Sequence, residues 1–339
     1  MRTDPSFTNR STTLGVDVGY SFTKYAFMRD GKITTGSMPS VARRVTETTF
    51  ESSLEAVGAR EADLQIEVNG MKYLVDTTDA EVVPSSIIRT ETDDFPTSNE
   101  YYALLGSTLV RCQQRYIDEL VLGLPLPTYQ MHARGLIEKF RGSHDFGRHG
   151  TFTIRNVSVL PQPLGAYVFL RSTHPQAFSG DTSCCIVDSG WNTTDTFVSS
   201  SSFKVDRARC GGLQGGAAIV LREIAALLQR KHKGRFSNLD RIDRAIVTNK
   251  PLMHNGEAID LQPFLNSALH VTIPIVRSVL TTIKTREDLT VFAAGGAAHY
   301  YLRALRETLG GEINVVEQPR FANAVGFLLA GEAALKGKR

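Results

Sequence analysis

Residues 14–27 predict a strand, a tight turn and a second strand. Val16 and Val18 alternate with Asp17, as the two faces of a strand require, and Gly19 permits the backbone conformation of a tight turn. A carboxylate before such a turn, followed by hydroxyls and an ammonium group, is typical of a loop that binds phosphate. Taken alone, the segment also fits an ordinary surface hairpin.

A second segment, residues 185–198, repeats the same order of strand, Asp188, Gly190, hydroxyl-rich turn and strand. The two Asp-x-Gly hairpins lie roughly half a chain apart, which favours two related domains. Each domain would then present one hairpin to a single nucleotide in the cleft between them.

Composition narrows the class of protein only moderately. A chain of 339 residues with 42% hydrophobic and 22% charged residues is long enough for two domains with their own cores. The net charge of +3 is too small to predict a nucleic-acid surface. No run of apolar residues is expected to reach membrane-spanning length, and no N-terminal signal is evident.

Cysteine usage and motif searches exclude several kinds of site. The four cysteines form no C-x-x-C pair, which argues against a disulfide framework or a metal site and suits a reducing cytoplasm. Cys184 and Cys185 are expected in a buried strand. The sequence has no Walker A motif, no G-x-G-x-x-G after a strand, no H-E-x-x-H and no G-x-S-x-G. His144 and His149 are expected at the surface.

Periodicity predicts most of the remaining elements. Apolar spacing indicates helices over residues 100–114, 129–140, 217–229 and 297–308, and strands over 64–68, 71–75, 119–124, 152–160 and 289–293. Residues 259–285 predict one long helix with a kink at Pro274. Residues 81–96 predict a loop, and 239–248 are ambiguous.

These hairpins resemble the two phosphate loops of the actin, hexokinase and seventy-kilodalton heat-shock chaperone superfamily. Residues 17–24 and 188–195 are most similar to bacterial and archaeal actin-like proteins of the ParM/StbA plasmid-segregation type. The Gly295-Gly296 pair after a strand matches a third element near the adenosine, and residues 321–327 resemble the closing helix. The resemblance implies an α/β, actin-like (ribonuclease H-like) two-domain ATPase fold with a nucleotide cleft between the domains.

The resemblance also implies the domain organisation. Residues 1–12 are expected to form a flexible tail, and residues 13–162 the first actin-like domain. Residues 163–322 would form the second domain, and the helix of residues 323–339 would return to the first.

The implied ligands are ATP or ADP with Mg²⁺. Asp17 and Asp188 would hold the hydrated metal through water, and Gln162 would position the attacking water. Many bacterial relatives place a Glu at or near the position of Gln162. Asp195 either holds the second turn by accepting backbone N–H bonds, the favoured interpretation, or lies near the metal. The expected nucleotide-binding residues are Gly19, Tyr20, Ser21, Thr23, Lys24, Gly190, Trp191, Asn192, Thr193, Thr194, Asp195, Gly211, Gly212, Gly295 and Gly296.

The function expected from this resemblance is that of a cytoplasmic filament ATPase in plasmid segregation. ATP binding would favour head-to-tail assembly, and hydrolysis would weaken the polymer. The partners would be further copies of the chain and a small DNA-binding adaptor on plasmid centromere DNA, with no direct nucleic-acid contact and no membrane. Two alternatives stay open: a nucleotide-gated switch that does not polymerise, and a small-molecule kinase of the same superfamily.

Overall fold

The computed structural model describes residues 12–45, 64–75, 89–178 and 182–337. The expected N-terminal tail, apart from Thr12, and the first part of the loop predicted over 81–96 lie outside these residues.

Where the structure describes it, the first half of the chain has nine strands. They are β1 (Thr13–Val18), β2 (Phe22–Arg29), β3 (Lys32–Pro39), β4 (Ala42–Arg44), β5 (Leu64–Val68), β6 (Met71–Val75), β7 (Tyr116–Leu124), β8 (Gly142–Asp145) and β9 (Thr151–Pro161). Six of them form one sheet in the order β3-β2-β1-β7-β9-β8, and the other three form a small sheet in the order β4-β6-β5. Strands β1, β7 and β9 are parallel, whereas β2 and β3 form antiparallel hairpins with their neighbours.

The second half repeats this arrangement. Its strands are β10 (Ser183–Ser189), β11 (Thr193–Ser199), β12 (Gly211–Gln214), β13 (Leu252–His254), β14 (Glu257–Ile259), β15 (Leu289–Ala294) and β16 (Ile313–Val315). The second sheet has the order β12-β11-β10-β15-β16, and β13 pairs with β14. Both main sheets therefore have an antiparallel three-stranded meander joined to parallel strands.

Nine α-helices occur within the described residues. They are α1 (Asn99–Cys112), α2 (Leu126–Phe140), α3 (Gln162–Thr173), α4 (Ala217–Lys231), α5 (Leu239–Val247), α6 (Gln262–Ala268), α7 (Thr272–Ile283), α8 (Ala298–Leu309) and α9 (Ala322–Gly337). The helices predicted over 100–114, 129–140, 217–229 and 297–308 correspond to α1, α2, α4 and α8. The ambiguous residues 239–248 form α5, whose first turn is capped by the Asn238 side chain, which accepts from the Arg241 N–H at 3.1 Å.

The single long helix predicted over residues 259–285 is wrong. Two helices, α6 and α7, are separated by a 3₁₀ turn at Leu269–Val271, and Ile259 belongs to β14. Pro274 lies in the first turn of α7, where the missing N–H has no intrahelical acceptor and a proline is tolerated. The break therefore precedes the proline.

The same run also bears on the expectation that no segment reaches membrane-spanning length. By length and composition alone, the 22 residues Gln262–Ile283 are long and apolar enough to cross a membrane. The core helix of a soluble protein meets the same criterion. Phe264, Ala268, Val276 and Ile283 are buried, and a single stretch of this kind is weak evidence for a membrane segment.

His144 is buried, which corrects the expectation of a surface residue. Its side chain is in contact with the Tyr102 hydroxyl, 2.5 Å from Nδ1, and with the Phe140 carbonyl, 2.9 Å from Nε2. His149 is half-buried, and its Nε2 lies 2.9 Å from the Gln65 carbonyl. Cys184 and Cys185 lie in the buried strand β10, as expected.

The helices α3 and α9 cross in backbone contact. A Cβ at Gly326 on α9 would overlap the Gly165 carbonyl on α3, and a Cβ at Gly15 on β1 would overlap the Ala324 carbonyl. Helix α9 follows the second sheet in sequence but packs against β1 and β7 of the first. The two halves of the molecule are thus joined both at α3 and at α9.

Candidate functional site

The two Asp-x-Gly segments form hairpins of the same register. In the first, Asp17 on β1 lies opposite Lys24 on β2. In the second, Asp188 on β10 lies opposite Asp195 on β11. The sequence pattern Asp-x-Gly thus places a carboxylate at the same point of each hairpin, and a residue seven positions later faces it across the strand pair.

Each turn is closed by the same backbone hydrogen bond. The Gly19 N–H donates to the Phe22 carbonyl at 3.2 Å, and the Gly190 N–H donates to the Thr193 carbonyl at 2.9 Å. A side chain at Gly19 would come within 2.9 Å of the Lys24 Nζ. The glycine therefore leaves room for the ammonium group beside the turn.

Both hairpin tips border one cleft of about 580 Å³. The start of α3, the turn after β15 and one face of α5 also line the cleft. The expected site residues that line it are Asp17, Gly19, Tyr20, Ser21, Lys24, Gln162, Asp188, Gly190, Trp191, Asn192, Thr193, Gly295 and Gly296.

The carboxylate of the first hairpin has a donor on each oxygen. Lys24 Nζ lies 2.9 Å from Asp17 Oδ2, and the Gln162 Nε2 donates to Asp17 Oδ1 at 2.7 Å. Asp17 is 2% exposed, so these two donors replace the water that burial removes. Gln162, the first residue of α3, is thereby held against the predicted metal-binding carboxylate.

The carboxylate of the second hairpin is held by Asn323, a residue with no role in the sequence-based prediction. Asn323, on α9, donates its Nδ2 to Asp188 Oδ2 at 2.7 Å and accepts from the Ala166 N–H at 3.0 Å. Burial raises the pKa of Asp188 to about 6, the nearby Asp17 charge adds to the increase, and Asn323 and Lys24 oppose it. Asn323 lies within the closing segment, residues 321–327, but nothing local in the sequence assigns it this contact.

Asp195 contacts the other half of the molecule. Its Oδ1 accepts from the Leu126 N–H at 3.3 Å, so the backbone donor belongs to the first turn of α2 and not to its own hairpin turn. Burial and the charge of Asp188 raise the pKa of Asp195 well above its ordinary value. A Cβ at Gly212, the residue opposite Asp195 on β12, would overlap the Asp195 Oδ1 and the ring of Pro127.

Five of the expected nucleotide-binding residues are not among those that line the cleft: Thr23, Thr194, Asp195, Gly211 and Gly212. Thr23 is fully buried, with its hydroxyl 3.0 Å from that of Ser40, and the Thr194 hydroxyl donates to the Gly215 carbonyl at 2.7 Å. Gly211 and Gly212 lie within β12. For these residues and for Asp195, direct contact with a nucleotide stays a prediction that the observed side-chain contacts do not favour.

The two glycines after β15 have different surroundings. Gly295 has φ of 85°, and a Cβ there would overlap the Ser189 carbonyl and the Asp188 carboxylate. Gly296 has open space around its Cα. The first glycine therefore allows close packing against the second hairpin, and the second leaves the cleft wall flat for a ligand.

Helix α5 adds charged groups to the site that the sequence did not predict there. Asp240, Asp243 and Arg244 line the cleft, at the spacing of one helical face. The Tyr300 hydroxyl donates to Asp243 Oδ1 at 2.6 Å. Burial raises the pKa of Asp243 and lowers the pKa of His299 beside it. The charged residues within 239–248 are the one sequence feature that could have indicated a role in the cleft. The sequence pattern leaves it ambiguous whether this segment is a helix.

The acidic groups fit a hydrated Mg²⁺. Asp17 and Asp188 both line the cleft, and the charge of Asp17 raises the cost of ionising Asp188, which a cation between them would relieve. Over the residues described, no group of three or more His, Cys, Asp or Glu side chains is arranged to hold a metal ion. An ion here would take its other ligands from water and phosphate, as Mg²⁺ prefers.

One family model matches the first half of the chain. Residues 15–165 match the family model described as "Actin like proteins N terminal domain". No curated protein matches the chain at a significant level.

Solved structures match along almost the whole chain. The archaeal actin homolog Ta0583 superposes with a TM-score of 0.75 at 19% identity, covering 95% of this chain and 99% of that one. A 15-stranded ParM filament from Clostridium botulinum gives a TM-score of 0.72 at 20% identity, with 96% and 99% coverage. The AlfA filament bound to AMPPNP gives 0.63 at 16% identity, with 97% and 99% coverage.

Proposed function

We propose that this chain, which has the actin-like fold and resembles the ParM-type actin-like proteins, is an ATPase that forms nucleotide-dependent filaments. One observation carries the proposal: two hairpins of matching register present their carboxylates, Asp17 and Asp188, to one cleft together with Gln162. This arrangement meets two requirements of phosphoryl transfer, because the hairpins can bind the phosphates and the Gln162 side-chain amide can orient the attacking water.

The chemistry would be an in-line attack of water on the γ-phosphate. The phosphates lie between the hairpin tips, where backbone N–H groups donate to their oxygens and Lys24 offsets their charge. Asp17 and Asp188 would hold a hydrated Mg²⁺, which would neutralise phosphate charge. The Gln162 side chain, anchored through its Nε2 on Asp17, uses its carbonyl oxygen to accept from the attacking water. Water adds to the γ-phosphorus, the bond to the ADP oxygen breaks, and a proton leaves with the phosphate.

Structures of similar proteins support nucleotide binding and assembly. Ta0583 has been solved in complex with ADP, and AlfA as a filament bound to AMPPNP. ParM from Clostridium botulinum forms a 15-stranded filament. By analogy, copies of this chain would associate head to tail through interfaces that do not close. The filament would segregate plasmid DNA in the cytoplasm through a small DNA-binding adaptor, and the weak net charge of +3 fits indirect contact with DNA.

Ultracentrifugal pelleting tests the proposal. The wild type is incubated with Mg²⁺ and ATP, ADP or no nucleotide, beside Asp188→Ala and the surface control Glu287→Ala. We expect ATP-dependent pelleting of the wild type and of the control, and altered turnover in Asp188→Ala.

Two outcomes would replace the proposal. ATP binding without pelleting at any concentration would indicate a monomeric nucleotide-gated switch. Phosphate transfer to an added sugar in place of phosphate release would indicate a small-molecule kinase.

A further inference from the structure

A short segment without regular structure connects the two hairpin tips. Residues 89–93, named here the bridging segment, precede α1 and belong to the stretch for which the sequence predicts only a loop. Their side chains contact residues from both halves of the molecule.

Arg89 contacts the first hairpin and reaches the second. Its guanidinium donates to the Ser21 carbonyl and lies 5.8 Å from the ring centre of Phe22. The same guanidinium lies 5.4 Å from the ring of Trp191 at the second tip and is ion-paired with Asp240 on α5. The Arg89 side chain is 5% exposed, so it occupies a buried position between the tips.

Glu91 contacts the second hairpin and the helix behind it. Its Oε1 accepts from the Trp191 Nε1 at 2.7 Å, and its backbone carbonyl accepts from the Asn192 Nδ2 at 3.2 Å. Its Oε2 is ion-paired with Arg222 on α4. Two consecutive residues of the second tip are thus bonded to one residue of the bridging segment.

Asp93 fixes the other end of the segment to both halves. Its backbone carbonyl lies 2.7 Å from the His132 Nε2 on α2, and its Oδ1 accepts from the Gln214 Nε2 on β12 at 3.3 Å.

We propose that the bridging segment sets the separation of the two hairpin tips, with Arg89 and Glu91 as positioning residues for the nucleotide phosphates. Only Thr90 separates the two residues, so a short piece of backbone limits the span between their side chains. Arg89 binds the carbonyl side of the first tip, which leaves the N–H groups of that tip for phosphate. This inference rests on the proposed function, because it assigns a role at the same cleft.

Trp191 is the only tryptophan in the chain, so its emission reports on this contact without any label. Wild type is compared with Glu91→Ala, Glu91→Gln and Arg89→Met. The matched control is Asp94→Asn, which changes an exposed acid next to the bridging segment. Thermal melting of each variant checks that the fold is retained.

In the wild type and in Asp94→Asn, Mg²⁺-ATP is expected to shift the Trp191 emission to the same extent. Glu91→Ala and Arg89→Met are expected to weaken Mg²⁺-ATP binding by tenfold or more in calorimetric titration and to reduce the emission shift by at least half. Glu91→Gln retains an acceptor for the Trp191 Nε1 and is expected to recover most of the affinity.

A double-mutant cycle separates positioning from general destabilisation. If Glu91 acts through Trp191, Glu91→Ala should cost less affinity in a Trp191→Phe background than in the wild type, with Trp191→Phe measured alone as the second single variant. Wild-type affinity in folded Glu91→Ala and Arg89→Met would overturn the inference and leave the proposed function intact. If the wild type itself binds no Mg²⁺-ATP, the proposed function fails first, and the inference fails with it.

Discussion

The two hairpins share backbone register and turn hydrogen bond, yet their electrostatics are opposite. In the first, the residue facing Asp17 is Lys24, and the two form an ion pair. In the second, the residue facing Asp188 is Asp195, and burial raises the pKa of both acids. One local fold can therefore present a charge-balanced carboxylate on one side of a cleft and a protonatable one on the other.

The two hairpins also differ in the residue that faces them from the third strand of each meander. Lys24 faces Ser37 on β3, whereas Asp195 faces Gly212 on β12. The serine leaves space for a cationic side chain that turns into the cleft. The glycine lets a buried carboxyl reach through to α2 in the other half of the molecule. The second hairpin thus both borders the cleft and contacts the other half of the molecule.

The largest effect is expected from removing the cation of the first hairpin. Lys24→Met leaves Asp17 buried with only the Gln162 donor, and an uncompensated buried charge costs about 3 kcal/mol of unfolding free energy. In the second hairpin, Asp195→Asn keeps an acceptor for the Leu126 N–H and should cost less than about 1 kcal/mol. Urea unfolding measures both. Equal losses would show that the hairpins do not differ in charge requirement.

Gln162 donates to Asp17 of the first hairpin. Replacing Gln162 tests whether the attacking water is positioned beside this hairpin. Gln162→Ala is expected to lower the rate of phosphate release by about 100-fold, the loss typical of one positioned polar group. ATP affinity should change little, because the hairpin tips remain. Single-turnover phosphate release and calorimetric binding separate the two quantities. A loss of affinity with an unchanged rate would assign Gln162 to binding.

A smaller effect is expected at the third strands. Gly212→Ala forces a Cβ into the Asp195 carboxyl and Pro127, and such overpacking costs about 2 kcal/mol. The pseudo-equivalent Ser37→Ala should cost below about 1 kcal/mol. Thermal unfolding compares the two variants, and a stable Gly212→Ala would mean that the Asp195 contact between halves adapts without cost.

The pH dependence gives the mildest test of the comparison. The folded state holds the proton of Asp188 more tightly than the unfolded state, because its pKa is raised from 3.8 to about 6. The stability from this group is present below 3.8 and is lost as pH rises through about 6. Metal binding needs the ionised form, so Mg²⁺-dependent ATP affinity should rise over the same window, by about tenfold per unit at most.

Asp188→Asn is the control for this titration. Calorimetry at several pH values should show that the variant binds weakly and without the pH dependence. An unchanged pH profile in Asp188→Asn would assign the titration to another group.

The structural features that could be predicted from the sequence are those determined by short local patterns. Asp17, Asp188 and the two turn glycines lie in short segments whose alternation and spacing determine strand, turn and strand. Gly295 and Gly296 follow a strand of similar clarity. For this reason the two hairpins and 13 of the 28 residues that line the cleft could be predicted from the sequence, whereas the actin-like fold was predicted from the resemblance that these motifs show.

The parts that it missed depend on residues distant in sequence. Asn323 contacts Asp188, which is 135 positions away in the sequence. The bridging segment has no periodic pattern from which its contacts with Trp191 could be predicted. The burial of His144 depends on Tyr102 and Phe140, which pack around it only in the folded chain. The prediction for residues 259–285 missed the break between α6 and α7, because apolar spacing does not reveal where a helical turn tightens.

The most direct test of the proposed function follows assembly and hydrolysis in one sample. Light scattering and phosphate release are recorded together after a limited amount of Mg²⁺-ATP is added to the wild type. We expect scattering to rise at once, phosphate to accumulate, and scattering to decay when the ATP is exhausted. Scattering that never rises at any protein concentration, although ATP binds in the cleft, would contradict the filament function.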